Sequence, residues 1–241
     1  MKAAKIRYIL YIYYNTIIMH EKPKLVLLDF DGVVVKGSNE AYFDCYHKAL
    51  ESVGIKLTPD VEHARVLEGW GSGHVDQLKI LLRERPELVD QAAKTWVACV
   101  DEPKFWENIE LVPNADKAIH LIEQEMNVAI VSGSRKDHIE KLLDRFGIDG
   151  ERMIFSSYDV ADPSLRKPNP YTLRLALEHF SCSSSETVYV GDMPNDIVMA
   201  RAAGIEPVVV LTGELDEKRA LELGVAWIEP DLFSLAISLS S

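Results

Sequence analysis

From about residue 113 onward, short runs of Val, Ile and Leu alternate with segments whose apolar residues recur three or four positions apart. Short apolar runs are typical of buried strands, and the three-to-four spacing is typical of helices. Strands are predicted near residues 24–30, 127–132, 152–156, 187–191 and 206–211. Because strands alternate with helices, the pattern predicts an α/β fold with a Rossmann-like parallel sheet and helices on both faces.

Residues 36–112 follow a different pattern, in which helical spacing recurs and no strand is predicted. The predicted helices lie around residues 40–53, 61–68, 75–83 and 87–100. We therefore expect a small all-helical cap inserted after the first strand, with hinges at residues 37–38 and 111–114. The predicted division is an N-terminal extension (1–22), an α/β core (23–35 and 113–241) and the cap (36–112).

Two carboxylates, Asp29 and Asp31, directly follow the first predicted strand and precede a glycine. In open parallel sheets, ligands bind at the carboxyl ends of strands. Two acidic groups this close repel each other, and a bound cation or a division of roles between them relieves that repulsion. The alternative is an acidic turn, since Asp-Gly is itself a turn signal.

Three later segments add chemistry of the same kind. Ser132 and Gly133 end the second core strand, where a hydroxyl and backbone N–H groups form either an anion site or an ordinary helix cap. Lys167 lies in a proline-stiffened loop and is either a fixed charge for phosphate or a surface lysine. Asp192 and Asp196 follow the fourth core strand and can face the same cation as the first pair, although helix capping is an alternative for Asp196.

In order and spacing, these segments resemble the four motifs of the haloacid dehalogenase superfamily: Asp-x-Asp-Gly-Val, a strand ending in Ser, Lys-Pro, and Gly-Asp-x-x-x-Asp. The resemblance extends over residues 24–212. The position of the insert resembles the phosphatase branch that carries a helical cap after the first motif, which includes phosphoglycolate phosphatase and β-phosphoglucomutase. This resemblance implies a magnesium-dependent phosphatase that hydrolyses a small phosphate monoester through an aspartyl-phosphate.

The resemblance also implies roles for individual residues. Asp29 is expected to attack the phosphoryl group, and Asp31 to act as general acid and base, with Lys167 as the third catalytic residue. Ser132, Gly133 and Lys167 are expected to hold the phosphoryl oxygens. Carboxylate and carbonyl oxygens suit Mg²⁺, and the expected metal set is Asp29, Asp31 (through its backbone carbonyl), Asp192 and Asp196, the last either directly or through the other ligands.

Residues 69–74 of the predicted cap place three glycines around a tryptophan. In cap-bearing relatives the cap closes over the site and contacts the substrate. Trp70, Ser72 and His74 are therefore candidate substrate contacts. The alternative is that this segment only connects two helices and that Trp70 is buried between them.

Other activities of the superfamily compete with hydrolysis. Dehalogenases lack an acid two residues after the nucleophile, so Asp31 argues against that class. Hexose-phosphate mutases of the β-phosphoglucomutase kind usually carry a histidine just after the first motif, and residues 36–43 contain none. A non-enzymatic binding protein on the same fold is a further alternative, but it requires a broken catalytic set, and all six key positions are intact.

The composition of the chain limits the classes of binding partner that we expect. A net charge of −12 over 241 residues argues against a nucleic-acid surface. The expected partner, a small phosphorylated metabolite, is what the family resemblance implies. The three cysteines show no zinc spacing and no disulfide framework, which favours a reducing cytoplasm. Residues 6–19 are apolar but shorter than the roughly 20 residues that span a bilayer, so no stable membrane insertion is expected. The sequence does not indicate an oligomeric state.

Overall fold

The computed structural model describes residues 22–70, 72–148 and 152–240, and a six-stranded parallel sheet is the centre of the fold. In chain order the strands are β1 (Leu25–Leu28), β2 (Val35–Lys36), β3 (Glu110–Leu111), β4 (Asn127–Ser132), β5 (Met153–Ser156), β6 (Thr187–Gly191), β7 (Glu206–Val210) and β8 (Trp227–Glu229). The sheet has the order β5-β4-β1-β6-β7-β8. The predicted α/β class is confirmed, and β8 extends the sheet by one strand that the sequence pattern does not predict.

Helices cover both faces of this sheet because alternate strand residues point to opposite sides. In β1, Val26 and Leu28 belong to one hydrophobic cluster, and Leu25 and Leu27 belong to another. The helices are α1 (Ser38–Ser52), α2 (Pro59–Glu68), α3 (His74–Leu81), α4 (Val89–Asp101), α5 (Pro103–Glu107), α6 (Ala115–Glu123), α7 (Lys136–Arg145), α8 (Tyr171–Phe180), α9 (Pro194–Ala203), α10 (Glu217–Glu222) and α11 (Leu232–Leu239). The first cluster includes residues of α6, α7 and α11, and the second includes residues of α8 and α9.

The helices α1 to α5 form one continuous segment, residues 38–107, which we call the helical insert. The chain enters it through β2 and leaves it near β3, and these two short strands pair antiparallel, Val35 with Leu111 and Lys36 with Glu110. Both connections to the sheet therefore lie side by side, next to residues 37–38 and 111–114, whose role as hinges stays a prediction. Two residues are too few to produce an alternating pattern, which is why the sequence predicts no strand here. The exact domain boundaries stay a prediction.

Two cysteines of the helical insert form a disulfide. Cys45 of α1 and Cys99 of α4 have their Cα atoms 5.6 Å apart, whereas Cys182 is free. The interpretation of the cysteines as lacking a disulfide framework is therefore wrong for this pair. A separation of 54 residues gives no spacing signal, because only the packing of two helices brings the pair together. The cysteine count consequently no longer supports a reducing compartment.

The predicted N-terminal extension falls almost entirely outside the described residues, which begin at Lys22. Of the helices that are described, none combines the length and the apolar character needed to cross a membrane. The cytoplasmic location stays a prediction.

Candidate active site

The four predicted motif segments meet at one edge of the sheet. β1 lies between β4 and β6, and parallel strands present their carboxyl ends on the same side. Asp29 follows β1, Ser132 ends β4, and Asp192 follows β6. Lys167 joins them from the loop before α8, and all four side chains are buried. The structure therefore brings these four residues together, and their roles stay predictions.

Lys167 lies between two carboxylates. Its Nζ atom is 2.6 Å from Asp29 Oδ2 and 2.6 Å from Asp196 Oδ1. Burial lowers the pKa of Lys167, but the Asp196 and Asp29 carboxylates outweigh this effect and raise it above its ordinary value. Burial also raises the pKa of Asp29 to about 7, although Lys167 opposes the shift. The buried lysine thus stays charged and compensates negative charge where water cannot.

Asp192 is the side chain whose charge is least compensated. It is fully buried, and its Oδ1 has no hydrogen-bond partner among the described residues. Burial, and then the neighbouring Asp196 and Asp29, raise its pKa well above the ordinary value. A Cβ atom at Gly32 or Gly213 would overlap the Asp192 carboxylate, so both close approaches depend on glycine. Together these facts indicate a position at which a bound cation would compensate the buried negative charge.

The donor set fits a hard divalent cation. One carboxylate oxygen from each of Asp29, Asp192 and Asp196 lies within 4.8 Å of the other two, although other donors already engage Asp196. Oxygen ligands with several carboxylates suit Mg²⁺ rather than a soft metal. The buried, unpartnered oxygen of Asp192 is a further feature that such an ion would satisfy.

Asp196 has little capacity left for direct metal binding. Its Oδ2 accepts hydrogen bonds from the backbone N–H groups of Asp192 (3.1 Å) and Met193 (2.9 Å) at the start of α9. Its Oδ1 accepts from the Tyr189 hydroxyl at 2.9 Å and contacts Lys167 at 2.6 Å. A carboxylate offers about four acceptor positions, and all four are used. Asp196 therefore caps the start of α9, which the sequence suggested as an alternative role, and it also contacts Tyr189 and Lys167.

Asp31 is only partly buried and is held by a serine that the sequence did not single out. Its Oδ2 accepts a hydrogen bond of 2.5 Å from the Ser134 hydroxyl. Burial raises the pKa of Asp31, and hydrogen bonds from Ser134 and Ser38 oppose the shift. The backbone N–H of Ser134 donates to Ser132 Oγ at 3.1 Å, so one residue connects the phosphate loop to the candidate acid. In the sequence, the only feature that marks Ser134 is its position two residues after Ser132. A serine at that position resembles an ordinary helix cap.

The loop before α3 contacts residues of the α/β core. Asn195 Nδ2 donates to the Trp70 carbonyl oxygen at 2.9 Å, and His74 Nδ1 is 2.7 Å from the Tyr158 hydroxyl. The Trp70 ring also stacks on Phe43 of α1, with centroids 5.2 Å apart. Trp70 therefore combines both expectations, because it packs within the helical insert and also lines the site.

Ser72 is placed differently from the other two candidates. Its hydroxyl donates to the Gly69 carbonyl oxygen at 2.6 Å, within its own turn. It does not line the cavity that contains Asp29 and Asp31. Ser72 therefore stabilises the turn of the loop. Of the two candidates for a polar contact with the substrate, only His74 lines the cavity.

A cavity of about 60 Å³ begins at Asp29 and Asp31 and continues into the helical insert. Its wall includes the rings of Tyr42, Tyr46, Trp70, His74, Trp96 and Tyr158. The sequence missed most of these, because aromatic residues at helical spacing on α1 and α4 have the same pattern as a hydrophobic core. The site can thus hold a phosphoryl group at its base and a short organic group beneath the insert.

Comparison with known proteins agrees with this geometry. Residues 26–210 match the family model for haloacid dehalogenase-like hydrolases. The chain is 28% identical over 187 residues to pyrophosphatase PpaX of Halalkalibacterium halodurans, covering 77% of this chain and 82% of that protein. It is 25% identical over 201 residues to phosphoglycolate phosphatase of Nitrosococcus oceani, covering 81% and 87%. A hydrolase structure from Pseudomonas syringae shares the fold, with a TM-score of 0.75 at 20% identity, covering 90% of this chain and 98% of its own. The chain belongs to the haloacid dehalogenase-like hydrolases.

Proposed function

We propose that this protein is a phosphatase that transfers the phosphoryl group of a small phosphate monoester to Asp29 and then to water. The observation that carries the proposal is the pairing of the buried Asp29 with Lys167, beside a second acid, Asp31, two residues further on. The relatives described above are a pyrophosphatase and a phosphoglycolate phosphatase. Their names favour hydrolysis over the mutase alternative.

In the proposed reaction, an Asp29 carboxylate oxygen attacks phosphorus and the bond to the leaving oxygen breaks. Asp31 gives its proton to that leaving oxygen. The deprotonated Asp31 then takes a proton from the water that attacks the aspartyl-phosphate, which regenerates both side chains. Burial supports the first step, because the raised pKa of Asp31 favours its protonated form.

The phosphoryl oxygens need positive charge and hydrogen-bond donors. Lys167 is the buried cation nearest to Asp29 and is proposed to balance the transferred group. Ser132 and the adjacent Gly133, which both line the cavity, are proposed to complete the phosphate site. This assignment follows the sequence motifs and places the donors on the β4–α7 turn.

Magnesium is the proposed cofactor. Asp29 and Asp192 would hold it with the backbone carbonyl of Asp31, whereas Asp196 would act through Lys167 and the start of α9. When bound, the ion supplies positive charge that stabilises the phosphoryl group in the transition state. The unpartnered Asp192 oxygen supports this placement.

Replacement of the nucleophile tests the proposal. Asp29→Asn should abolish steady-state hydrolysis of p-nitrophenyl phosphate in the presence of Mg²⁺, because an amide cannot form the acyl phosphate. Circular dichroism should show an intact fold, since Asn fills the same space. Turnover by purified Asp29→Asn at a rate near that of the wild type would contradict the mechanism.

A further inference from the structure

Two residues of the cavity wall carry a buried ring nitrogen that lacks a hydrogen-bond partner among the described residues. Trp96 of α4 and His138 of α7 both line the cavity and are 4% and 6% exposed. Within the described parts of the chain, neither Trp96 Nε1 nor His138 Nδ1 has a partner. Buried polar groups are paired in the great majority of cases, and leaving one unpaired is costly. The proposed reaction uses neither atom.

The Trp96 ring is held firmly in place. It stacks on His74 with centroids 4.5 Å apart and planes 5° from parallel, and on Tyr42 with centroids 6.0 Å apart and planes 7° from parallel. One turn further along α4, Cys99 is bonded to Cys45 of α1. A donor on a fixed ring loses little entropy when it binds. The indole N–H is therefore better suited to recognising a ligand than a donor on a flexible side chain.

The chemistry of the wall defines the ligand group. The indole N–H only donates, so its partner must be an acceptor. Burial, and then Arg135, lower the pKa of His138, so the imidazole is neutral near pH 7 and its two nitrogens divide into one donor and one acceptor. An oxygen atom on the ligand satisfies the indole in either His138 tautomer.

The size of the cavity limits the ligand further. Its volume of about 60 Å³ is several times smaller than the roughly 300–1,000 Å³ of common ligand pockets. A hexose ring or a nucleobase therefore does not fit beneath the helical insert in this arrangement. The phosphoryl group lies at the cavity base, so only a short chain reaches the wall.

We propose that Trp96 is a specificity-determining residue, whose indole N–H binds an oxygen atom of a short leaving group. The proposal rests on the proposed phosphatase function and adds the substrate class, a short phosphate monoester that carries a second oxygen function. That oxygen belongs to either a carboxylate or a hydroxyl. Both are acceptors, and the test below separates them.

Three esters with two-carbon leaving groups test the proposal: ethyl phosphate, 2-hydroxyethyl phosphate and phosphoglycolate. The variant Trp96→Phe keeps an aromatic ring and removes the N–H. We expect it to lower kcat/KM for an oxygen-bearing ester about tenfold relative to ethyl phosphate, the order of magnitude of one hydrogen bond. A selective loss with phosphoglycolate alone identifies a carboxylate, and a loss that includes 2-hydroxyethyl phosphate identifies a hydroxyl as sufficient.

The matched control is Trp227→Phe. Trp227 lies on β8, and its Nε1 donates to Glu229 at 3.0 Å, away from the cavity. This variant should leave the ratio between the esters unchanged. If Trp96→Phe fails to fold, replacing Trp96 with benzothienylalanine removes only the N–H and gives the same comparison.

The outcomes separate the two proposals. If Trp96→Phe changes kcat/KM for all three esters equally, or for none, the assignment of Trp96 is wrong while the phosphatase function stands. If the wild type hydrolyses no phosphate ester with Mg²⁺, including p-nitrophenyl phosphate, the proposed function itself is wrong. Dissociation constants of the esters on the Asp29→Asn protein then show whether Trp96 still selects oxygen-bearing ligands.

Discussion

At the scale of single residues, the site gathers buried negative charge that one lysine compensates only in part. Three buried carboxylates face one lysine, and Asp192 keeps one oxygen without a partner in the described part of the chain. Burying a charge without compensation is costly, and neighbouring like charges add to that cost. A protein that binds Mg²⁺ at this position should therefore be stabilised by it, because the unfolded chain offers no such site.

Asp192→Asn should remove most of the stabilisation that Mg²⁺ gives to the folded protein. We expect Mg²⁺ to raise the melting temperature of the wild type but to have little effect on the variant. In chelator the variant should melt at a higher temperature than the wild type, because a repelling charge has been removed. Differential scanning fluorimetry with EDTA or Mg²⁺ measures both, and the exposed Asp90→Asn is the control. A full Mg²⁺ shift in Asp192→Asn would show that the ion binds elsewhere.

Single residues also show which parts of the candidate site can be predicted from the sequence. Asp29 and Asp192 could be predicted because acidic residues directly after apolar strands are unusual, and a parallel sheet brings strand ends together. Ser134 and Trp96 could not be predicted, because a serine near a helix start and a tryptophan on a helix are common and carry no specific signal. Only tertiary packing shows that the first donates to Asp31 and the second lines the cavity.

At the scale of elements, a strand was predicted accurately where its run of apolar residues was long and clearly bounded. β4 and β6 have the predicted bounds, since continuous apolar runs ended by polar residues define a buried strand clearly. β8 was missed because its three residues Trp-Ile-Glu are too few to form a pattern. The disulfide between α1 and α4 was missed for a related reason, because a contact between helices leaves no trace in local spacing.

Removing that disulfide tests its contribution to the fold. Cys45→Ser opens a cross-link that spans 54 residues and should lower the free energy of unfolding by about 2–4 kcal/mol under oxidising conditions. In excess reductant, the wild type and the variant should unfold at nearly the same denaturant concentration. Cys182→Ser is the control, because Cys182 is free. Equal stability of oxidised wild type and Cys45→Ser, with both thiols titratable in the wild type, would mean that the bond does not form.

At the scale of the whole molecule, a few polar contacts hold the helical insert over the sheet edge. Trp70 accepts a hydrogen bond from Asn195, and His74 bonds to Tyr158. On another side of the insert, His63 Nε2 of α2 lies 3.4 Å from a carboxylate oxygen of Glu214. Covering the site excludes water and completes the wall that faces the substrate. Because β2 and β3 are two residues each, we expect these contacts to determine how firmly the insert is held over the site.

Asn195→Ala should loosen this closure without removing any proposed catalytic group. Its amide donates to the Trp70 carbonyl oxygen at 2.9 Å, and the loss of one such bond should lower kcat/KM several-fold, mainly through KM. Asn195→Asp should lower it further, because a carboxylate oxygen would then face that carbonyl oxygen. Asn127→Ala, at an exposed position at the start of β4, is the matched control and should change neither parameter. Hydrogen exchange should increase in residues 64–70 of the Asn195 variants. Unchanged exchange there, together with an unchanged KM, would mean that the helical insert is held closed without this contact.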